Sequence, residues 1–565
     1  MGRRAAFFAG TVWLCLFFAL VTCAMAENGI VLEAGVPGQT VTVYGKEQRK
    51  GIILSLPGCW DAASVCLKIE GQDSFFLGDR ETEIRPGEPV DLTDRLGKAM
   101  TIYDRRKSRL GTLTVYRGSA IPALFLTVDG RDFRSIRKSK EHVITEGQAV
   151  IADPDGSIVY SGRLTQLKGR GNSTFLYDKK PYQIKLAGKA GPDGMNPAKT
   201  WVLLANWTDI SLLRNRIVLD MSADIGVPHA VDCRQTDVWV NGEYQGLYLM
   251  TEKIQIKTGR INIRDLEEEN EKANENPPET YELFRRSYGE TPLLRGYRLP
   301  VSPEDITGGY ILSIEKFHRL RDYKLAGFRT ADRLSIRIVE PTYPAEEEVI
   351  YLAELFGAVH RAAQAADGTD SRTGKKLWEM LDRPSFVRRY LMEEWTKNYD
   401  FSGGSQFLYK DSDSRDPLIY AGPNWDYDLS FGNMTDRGFS STGAYVTAMS
   451  RNPSNFYWLL SRHDDFAEET RRVWQEVFRP AAAVLLGEKE PAEGQRLRSM
   501  EQYAEEIRLS AEMNYIRWPA GTATAPEAGR SFENANQYLQ KWIRERTAWM
   551  DQHCGAAGRT DKKQK

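Results

Sequence analysis

Two carboxylates stand two residues apart in Gly422-Pro423-Asn424-Trp425-Asp426-Tyr427-Asp428-Leu429-Ser430-Phe431-Gly432, an aromatic run bracketed by glycines. Such a run folds inward, where an ionised Asp is costly unless a cation or hydrogen bonds compensate it. Two readings follow: a divalent-metal site built on Asp426, Asp428 or both, or a β-turn whose Asp side chains cap their own backbone. A second candidate lies upstream in Leu167-Lys168-Gly169-Arg170-Gly171-Asn172-Ser173-Thr174, followed by Lys179-Lys180-Pro181-Tyr182-Gln183-Ile184-Lys185-Leu186. A glycine turn followed by a strand with an outward lysine can cradle phosphates, because backbone N–H groups approach closely and the ammonium neutralises charge. The same pattern also describes a hairpin with a solvated basic face. A third candidate is Asp400, which leaves a predicted helix just before Gly403-Gly404 and the strand-like Gln406-Phe407-Leu408-Tyr409. It is placed either to reach a cleft or to close a helix C-terminus.

These side chains need elements to position them. Alternation puts Tyr182, Ile184 and Leu186 on one face of a strand and Gln183 and Lys185 on the other. Trp201 to Asn206 reads as a buried strand, and Asp209 as the N-cap of a helix that runs to Ile225 and stops at Gly226. Arg214, Asn215 and Arg216 fall in its first turns, where cations oppose the helix dipole unless an anion or a carboxylate compensates them. Asp237 to Met250 is a hairpin about Asn241-Gly242, a type I′ turn signal, and it ends at Glu252. Gly308 to Glu315 is another strand. From Ala345 the pattern is helical, first over 345–366 and then from an N-cap at Asp382 with Pro384 in the first turn. Residues 453–550 are again helical.

Totals narrow the function classes. Over 565 residues the hydrophobic content is 41% and the charged content 27%, which describes a globular chain with ample core. A formal net charge of -1 gives no support to nucleic-acid binding. Six histidines are scattered without a local ligand pair, and no cysteine spacing reads as a zinc site. Arg3 and Arg4, the apolar run Ala5 to Val21 and Ala24-Met25-Ala26 form the layout of a secretory signal peptide cleaved after Ala26. The chain is therefore expected to be exported, secreted or held at the cell surface, with no transmembrane segment after cleavage. In an oxidising compartment Cys59 and Cys66 are a candidate local disulfide. Residues 27–118 read as a β-sandwich-like accessory module, residues 267–279 as an acidic flexible insertion and residues 551–565 as a disordered tail.

Taken in order, Lys168 to Thr174, Lys179-Lys180-Pro181-Tyr182, Trp201 to Asn206, Leu213-Arg214-Asn215, Asn241 to Tyr248, Gly308-Gly309-Tyr310 and Trp425 to Asp428 resemble the spore coat protein H (CotH) family of atypical protein kinases. The resemblance spans about residues 120–550. It implies an α+β chain with a diverged protein-kinase-like domain over 119–550, behind the all-β module. It also implies transfer of the γ-phosphoryl of ATP, with Mg²⁺ or Mn²⁺, to Ser or Thr of protein substrates. On that basis Lys185 and Asp400 are catalytic. Gly169, Arg170, Gly171 and Asn172 cover the phosphates, and adenine sits near the strand ending at Glu252. Asp426, Asp428 and Gln406 hold metal, with Ser405 and Gln406 standing where a kinase catalytic loop has its asparagine. Glu252, Asp220 and Asp224 are the candidate ion-pair partners of Lys185. Two other readings use the same residues: a non-catalytic surface or matrix-assembly protein, and a glycoside hydrolase using Asp400 with Asp426 or Asp428 as paired carboxylates.

Overall fold

The structure is a computed structural model that describes residues 30–37, 41–48, 51–274, 280–322, 325–449, 456–519 and 531–555. The signal-peptide reading and the last ten residues lie outside the described residues. The chain is α+β, with β structure dominating the N-terminal part and helices the C-terminal part.

Seven strands of one sheet carry the glycine turn: β1 (Ala123–Thr127), β2 (Gly147–Ala152), β3 (Ile158–Gly169), β4 (Tyr182–Ala190), β5 (Ala198–Leu204), β6 (Cys233–Val240) and β7 (Glu243–Glu252). Their order is β3-β2-β1-β6-β7-β5-β4, and β4 pairs back onto β3, closing a barrel. Only β1 and β6 run parallel among these neighbours. Inward residues at every second position, including Leu124, Ile151, Leu167, Ile184, Trp201 and Tyr248, fill the interior, as a barrel of this size requires. Asn241 and Gly242 both have positive φ (50° and 75°), the geometry of the predicted I′ turn.

The barrel's outer surface is covered on two sides. Over β1 and β6, Phe125 stacks on Trp239 at 5.1 Å, and the indole N–H donates to the Ser55 carbonyl. Residues 32–117 form a four-stranded and a six-stranded sheet, and their core runs without a break into Phe125, Trp239, Tyr244 and Met513. The expected accessory module is thus fused to the barrel through shared apolar packing. Cys59 and Cys66 are separate thiols, not a disulfide. Cys66 lies in a strand with its Sγ near the Gly87 carbonyl, and Cys59 sits outside that strand.

Against β6, with Leu219 also packed on Val202 and Leu249, lies α1 (Arg214–Asp224). The predicted helix start at Asp209 is displaced to Arg214, because Asp209 folds back to accept the Ser211 and Arg214 amides and to pair with the Arg214 guanidinium. Arg216 pairs with Asp220 one turn on, so carboxylates satisfy both cations of the first turns. The acidic insertion is in part ordered. Its beginning forms α2 (Leu266–Ala273), where buried Asn270 donates to Glu348. Residues 275–279 lie outside the described residues.

The second half is built on a seven-stranded antiparallel sheet. Its strands are β8 (Glu282–Tyr288), β9 (Thr291–Arg298), β10 (Tyr310–Ile314), β11 (Gly327–Arg329), β12 (Ser335–Glu340), β13 (Gln406–Lys410) and β14 (Ile419–Ala421). Helices α3 (Phe317–Asp322), α4 (Glu346–Gln364) and α5 (Arg383–Thr396) pack on it. Asp382 caps α5 by accepting the Ser385 amide, as predicted from the sequence. Residues 490–499, read as helical, are not helical; α6 spans Met500–Arg517 and α7 spans Phe532–His553. Helix α6 ties the halves together. Tyr503 donates to Asp220 of α1, Ser510 donates to Asp237 of β6, and Asn514 accepts from the Leu247 amide and from Lys179.

Candidate active site

The Gly422–Gly432 loop is fixed by its aromatic residues and presents its aspartates between them. Tyr427 is buried, donating its hydroxyl to Glu393 at 2.7 Å and its amide to Asn215 at 2.7 Å. The Arg214 guanidinium donates to the Ser430 carbonyl, and the Asn433 amide to the Asp428 carbonyl. With Tyr427 directed inward, Asp426 takes a left-handed conformation (φ 71°), which Asp tolerates better than most residues. Its carboxylate accepts from the Ser405 hydroxyl at 3.1 Å. Asp428, 9% exposed, accepts from the Thr208 hydroxyl at 2.5 Å.

Burial raises the pKa of Asp426, and the neighbouring Asp400 charge adds to it, while Ser405, Arg170 and Arg319 act in the opposite sense. Asp428 is pushed up to about 7, first by burial and then by Asp426, with the Thr208 hydrogen bond opposing. Such a pair holds excess negative charge that a bound cation would relieve. Among the described residues no three His, Cys, Asp or Glu side chains converge into a ready-made metal cage. Two carboxylates such as Asp426 and Asp428 could hold a cation that keeps waters and takes other oxygens, as Mg²⁺ does.

From the barrel, the charge of Arg170 acts on Asp426. Its guanidinium lies 5.3 Å from the centre of the Trp425 ring; burial lowers its pKa to about 10, with Asp426 opposing that shift. The turn that delivers it admits only glycine on both sides. A Cβ at Gly169 would sit 2.3 Å from the Phe175 ring, and Gly171 has φ 87°. Asn172 is exposed, and its side chain does not cap the short helix Ser173–Leu176. Lys168, half-buried beside Arg170 and Lys253, has its pKa lowered by burial and by those two cations.

Lys185 lies on the outer face of β4, one diagonal step along the ladder from Lys168. It is exposed on β4, opposite Gln166 and Thr200, and its ammonium makes no ion pair among the described residues. The three carboxylates considered as its partners are engaged otherwise. Glu252 pairs with Arg260 at 2.8 Å, Asp220 with Arg216, and Asp224 accepts the Arg496 and Leu497 amides. Lys168, on β3 opposite Gln183, is the strand lysine drawn toward Arg170. Gln406 is buried at the start of β13, on the face of Leu408 and opposite that of Phe407. Its predecessor Ser405 is the group that touches Asp426. Asp400 lies on a short helical turn (Tyr399–Ser402) capped by Asn398, and pairs with Lys316 at 3.1 Å.

Asp426 thus feels the charges of Arg170 and Asp400 and acts on Asp428, whereas Lys185, Glu252 and Gln406 make no hydrogen bond or ion pair with these four among the described residues. Sequence reasoning passed over Thr208, Lys253, Lys316 and Arg319, which come from separate segments and have no local spacing to betray them. Lys168 did carry a signal, since alternation along β3 sets it opposite in direction to the inward Leu167.

The raised pKa of Asp428 fixes a sign. A carboxyl whose folded pKa exceeds its unfolded value stabilises the fold below about pH 4 and loses that contribution as pH rises through about 7. An Asp428→Asn protein should therefore gain stability over the parent on going from pH 5 to pH 8, by on the order of 2 kcal/mol for this coupled pair. Thermal unfolding of both proteins across that range, without divalent cations, checks it. Parallel curves would refute it.

No curated protein matches the chain. The family described as CotH kinase protein matches residues 167–550, from the glycine turn to the last helix and through every residue of the site. The chain belongs to the CotH kinase family.

Proposed function

We propose that this protein is an exported, ATP-dependent kinase that phosphorylates Ser or Thr of surface or coat proteins, using a diverged protein-kinase-like fold. In this reading the barrel is the nucleotide-covering lobe and the second sheet with its helices is the lobe that carries the carboxylates. One observation carries the proposal. Arg170, held by a glycine turn and lying over Trp425, acts by its charge on Asp426, which also feels Asp400, so a cation from the barrel faces the carboxylates of the opposite lobe.

Transfer demands positioning and charge neutralisation more than covalent chemistry. Arg170, with Lys168 and Lys253 beside it, would hold the phosphate oxygens. The partly buried Leu204, Ile254 and Phe407, packed with Val202 and Trp425, are the apolar surface against which the base would lie. Asp400 would accept the proton of the substrate hydroxyl as its oxygen bonds to the γ-phosphorus. The bond from that phosphorus to the β-bridging oxygen breaks, and its electron pair leaves on ADP. Asp426 and Asp428 would hold Mg²⁺ or Mn²⁺, which when bound neutralises phosphate charge.

Incubating residues 27–565 with labelled ATP, Mg²⁺ and casein as a serine-rich acceptor tests the reading. Label is expected on Ser or Thr, with at least about 10²-fold less on the Asp400→Asn protein. No transfer, no autophosphorylation and no ATP-dependent thermal shift would sink it. Among the described residues no helix is long and apolar enough to cross a membrane. Export is proposed from the N-terminal leader alone, and cell fractionation tests it.

A further inference from the structure

Lys316 stands at the end of β10, where the chain turns into α3, three residues before Arg319 and far in sequence from Asp400, Asp426 and Asp428. Because Ile314 pairs with Gln406, residues 315 and 316 run beside Gly403, Gly404 and Ser405. The fit there is close. A Cβ on Gly403 would fall 2.8 Å from Lys316 Cγ and 3.3 Å from its backbone nitrogen, and one on Gly404 would fall 3.4 Å from the Arg319 guanidinium. The two glycines thus leave room for the stems of Lys316 and Arg319 against the turn that follows Asp400.

The ammonium of Lys316 lies 3.1 Å from Asp400 Oδ1. Their side chains are 39% and 32% exposed, so the pair opens toward solvent and is not sealed in the core. Arg319, one turn along α3, pairs with Glu315 at 2.9 Å, and its charge also reaches Asp426. A structural ion pair has no need to open onto the site, and an exposed pair adds little to stability. A lysine placed there holds the Asp400 carboxylate in one orientation and keeps ammonium hydrogens free for a second acceptor.

We propose that Lys316 is a further catalytic residue for phosphoryl transfer: it orients Asp400 and offers its remaining N–H groups to the oxygens of the phosphoryl group in flight. The inference rests on the kinase reading. Its chemistry is that of transition-state charge stabilisation, where a donor acts on charge that develops during transfer and not on bound nucleotide. Removing it should lower kcat and spare nucleotide binding.

The test compares the full chain with its Lys316→Met and Lys316→Arg variants, using labelled ATP, Mg²⁺ and casein. Lys316→Met is expected to reduce kcat about 10²-fold, with the dissociation constant of Mg-ADP and the thermal midpoint unchanged. Lys316→Arg, which keeps a cation at this place, should recover about tenfold of that loss. Wild-type kcat in Lys316→Met would overturn the inference and leave the kinase reading standing. Loss of nucleotide binding or of thermal stability in step with kcat would also overturn it, because Lys316 would then be structural. An inactive parent chain would overturn both readings.

Discussion

The Asp426→Asn protein is expected to lose phosphoryl transfer by about 10³-fold or more and, at pH 8 without divalent cations, to unfold at a higher temperature than its parent. The loss follows from the role proposed for this carboxylate. It is the group that both lobes address, from the barrel through Arg170 and from the β13 side through Ser405. Single groups that stabilise charge developing in transfer are worth on the order of 10²–10³, and a metal ligand is worth at least as much. The gain follows from the direction of its pKa. Burial and Asp400 raise it in spite of Arg170, Arg319 and Ser405, so the fold prefers a neutral group at this position. Asparagine supplies that group, can keep the Ser405 hydrogen bond and tolerates the left-handed backbone that alanine would resist. Each kcal/mol gained corresponds to roughly 2 °C in a lobe of this size. Adding Mg-ATP should reverse the order of the two midpoints, since only the parent gains from the cation. Scanning calorimetry with and without Mg-ATP, beside the transfer assay, reads both effects. Retained activity would remove Asp426 from the metal assignment. A lowered midpoint without divalent cations would mean that Arg170 depends on Asp426 more than the raised pKa indicates. Opposite changes in activity and stability mark a site whose strain serves function.

Excising the N-terminal β module is the other large effect. A chain starting at residue 119 is expected to aggregate or to show no cooperative thermal transition, although the family match begins only at residue 167. The module's apolar interior extends onto the barrel's outer wall. Without it Trp239, Phe125 and Tyr244, now 0%, 5% and 4% exposed, would face water together. Each such side chain is worth about 2 kcal/mol of burial, and a contiguous apolar patch of this kind drives association. Polar ties would be lost as well: the Tyr44 amide to the Gly242 carbonyl, the Trp239 indole to Ser55, and the Lys46–Glu243 pair. Size-exclusion chromatography of the truncated chain beside the full one checks it. A monodisperse, cooperatively unfolding fragment would show the module to be a separable accessory, as its sequence alone suggested.

The contrast between what local pattern determines and what it cannot is clearest at particular residues. Alternation in Tyr182-Gln183-Ile184-Lys185-Leu186 determined which side chains fill the barrel, because a strand's period of two is a local property. The Asn241-Gly242 turn, the Asp382 cap and the pairing of Asp426 with Asp428 in an aromatic run were legible for the same reason. Each depends on residues a few positions apart. The direction in which Lys185 projects was equally legible, but not what it would meet. Strand pairing decides that, and β4 carries it to an exposed part of the barrel while β3 brings Lys168 beside Arg170. At β13 the strand turns Gln406 into the core, while Ser405, just before it with φ 56°, stays at the carboxylate. Asp209, read as a helix cap, became the buried partner of Arg214 because the loop it anchors must lie against Ser430.

The Gly422–Gly432 stretch holds both lessons. Its composition alone determined that two carboxylates would be drawn into a folded interior and would need compensation. Only the tertiary structure decided which groups compensate them. Thr208, Ser405, Arg170 and, through Asp400, Lys316 come from segments as much as 256 residues away from Asp426, since Arg170 and Asp426 differ by that count. Electrostatic and hydrogen-bond partners act over a few ångströms of space whatever their separation along the chain, so no local spacing can announce them.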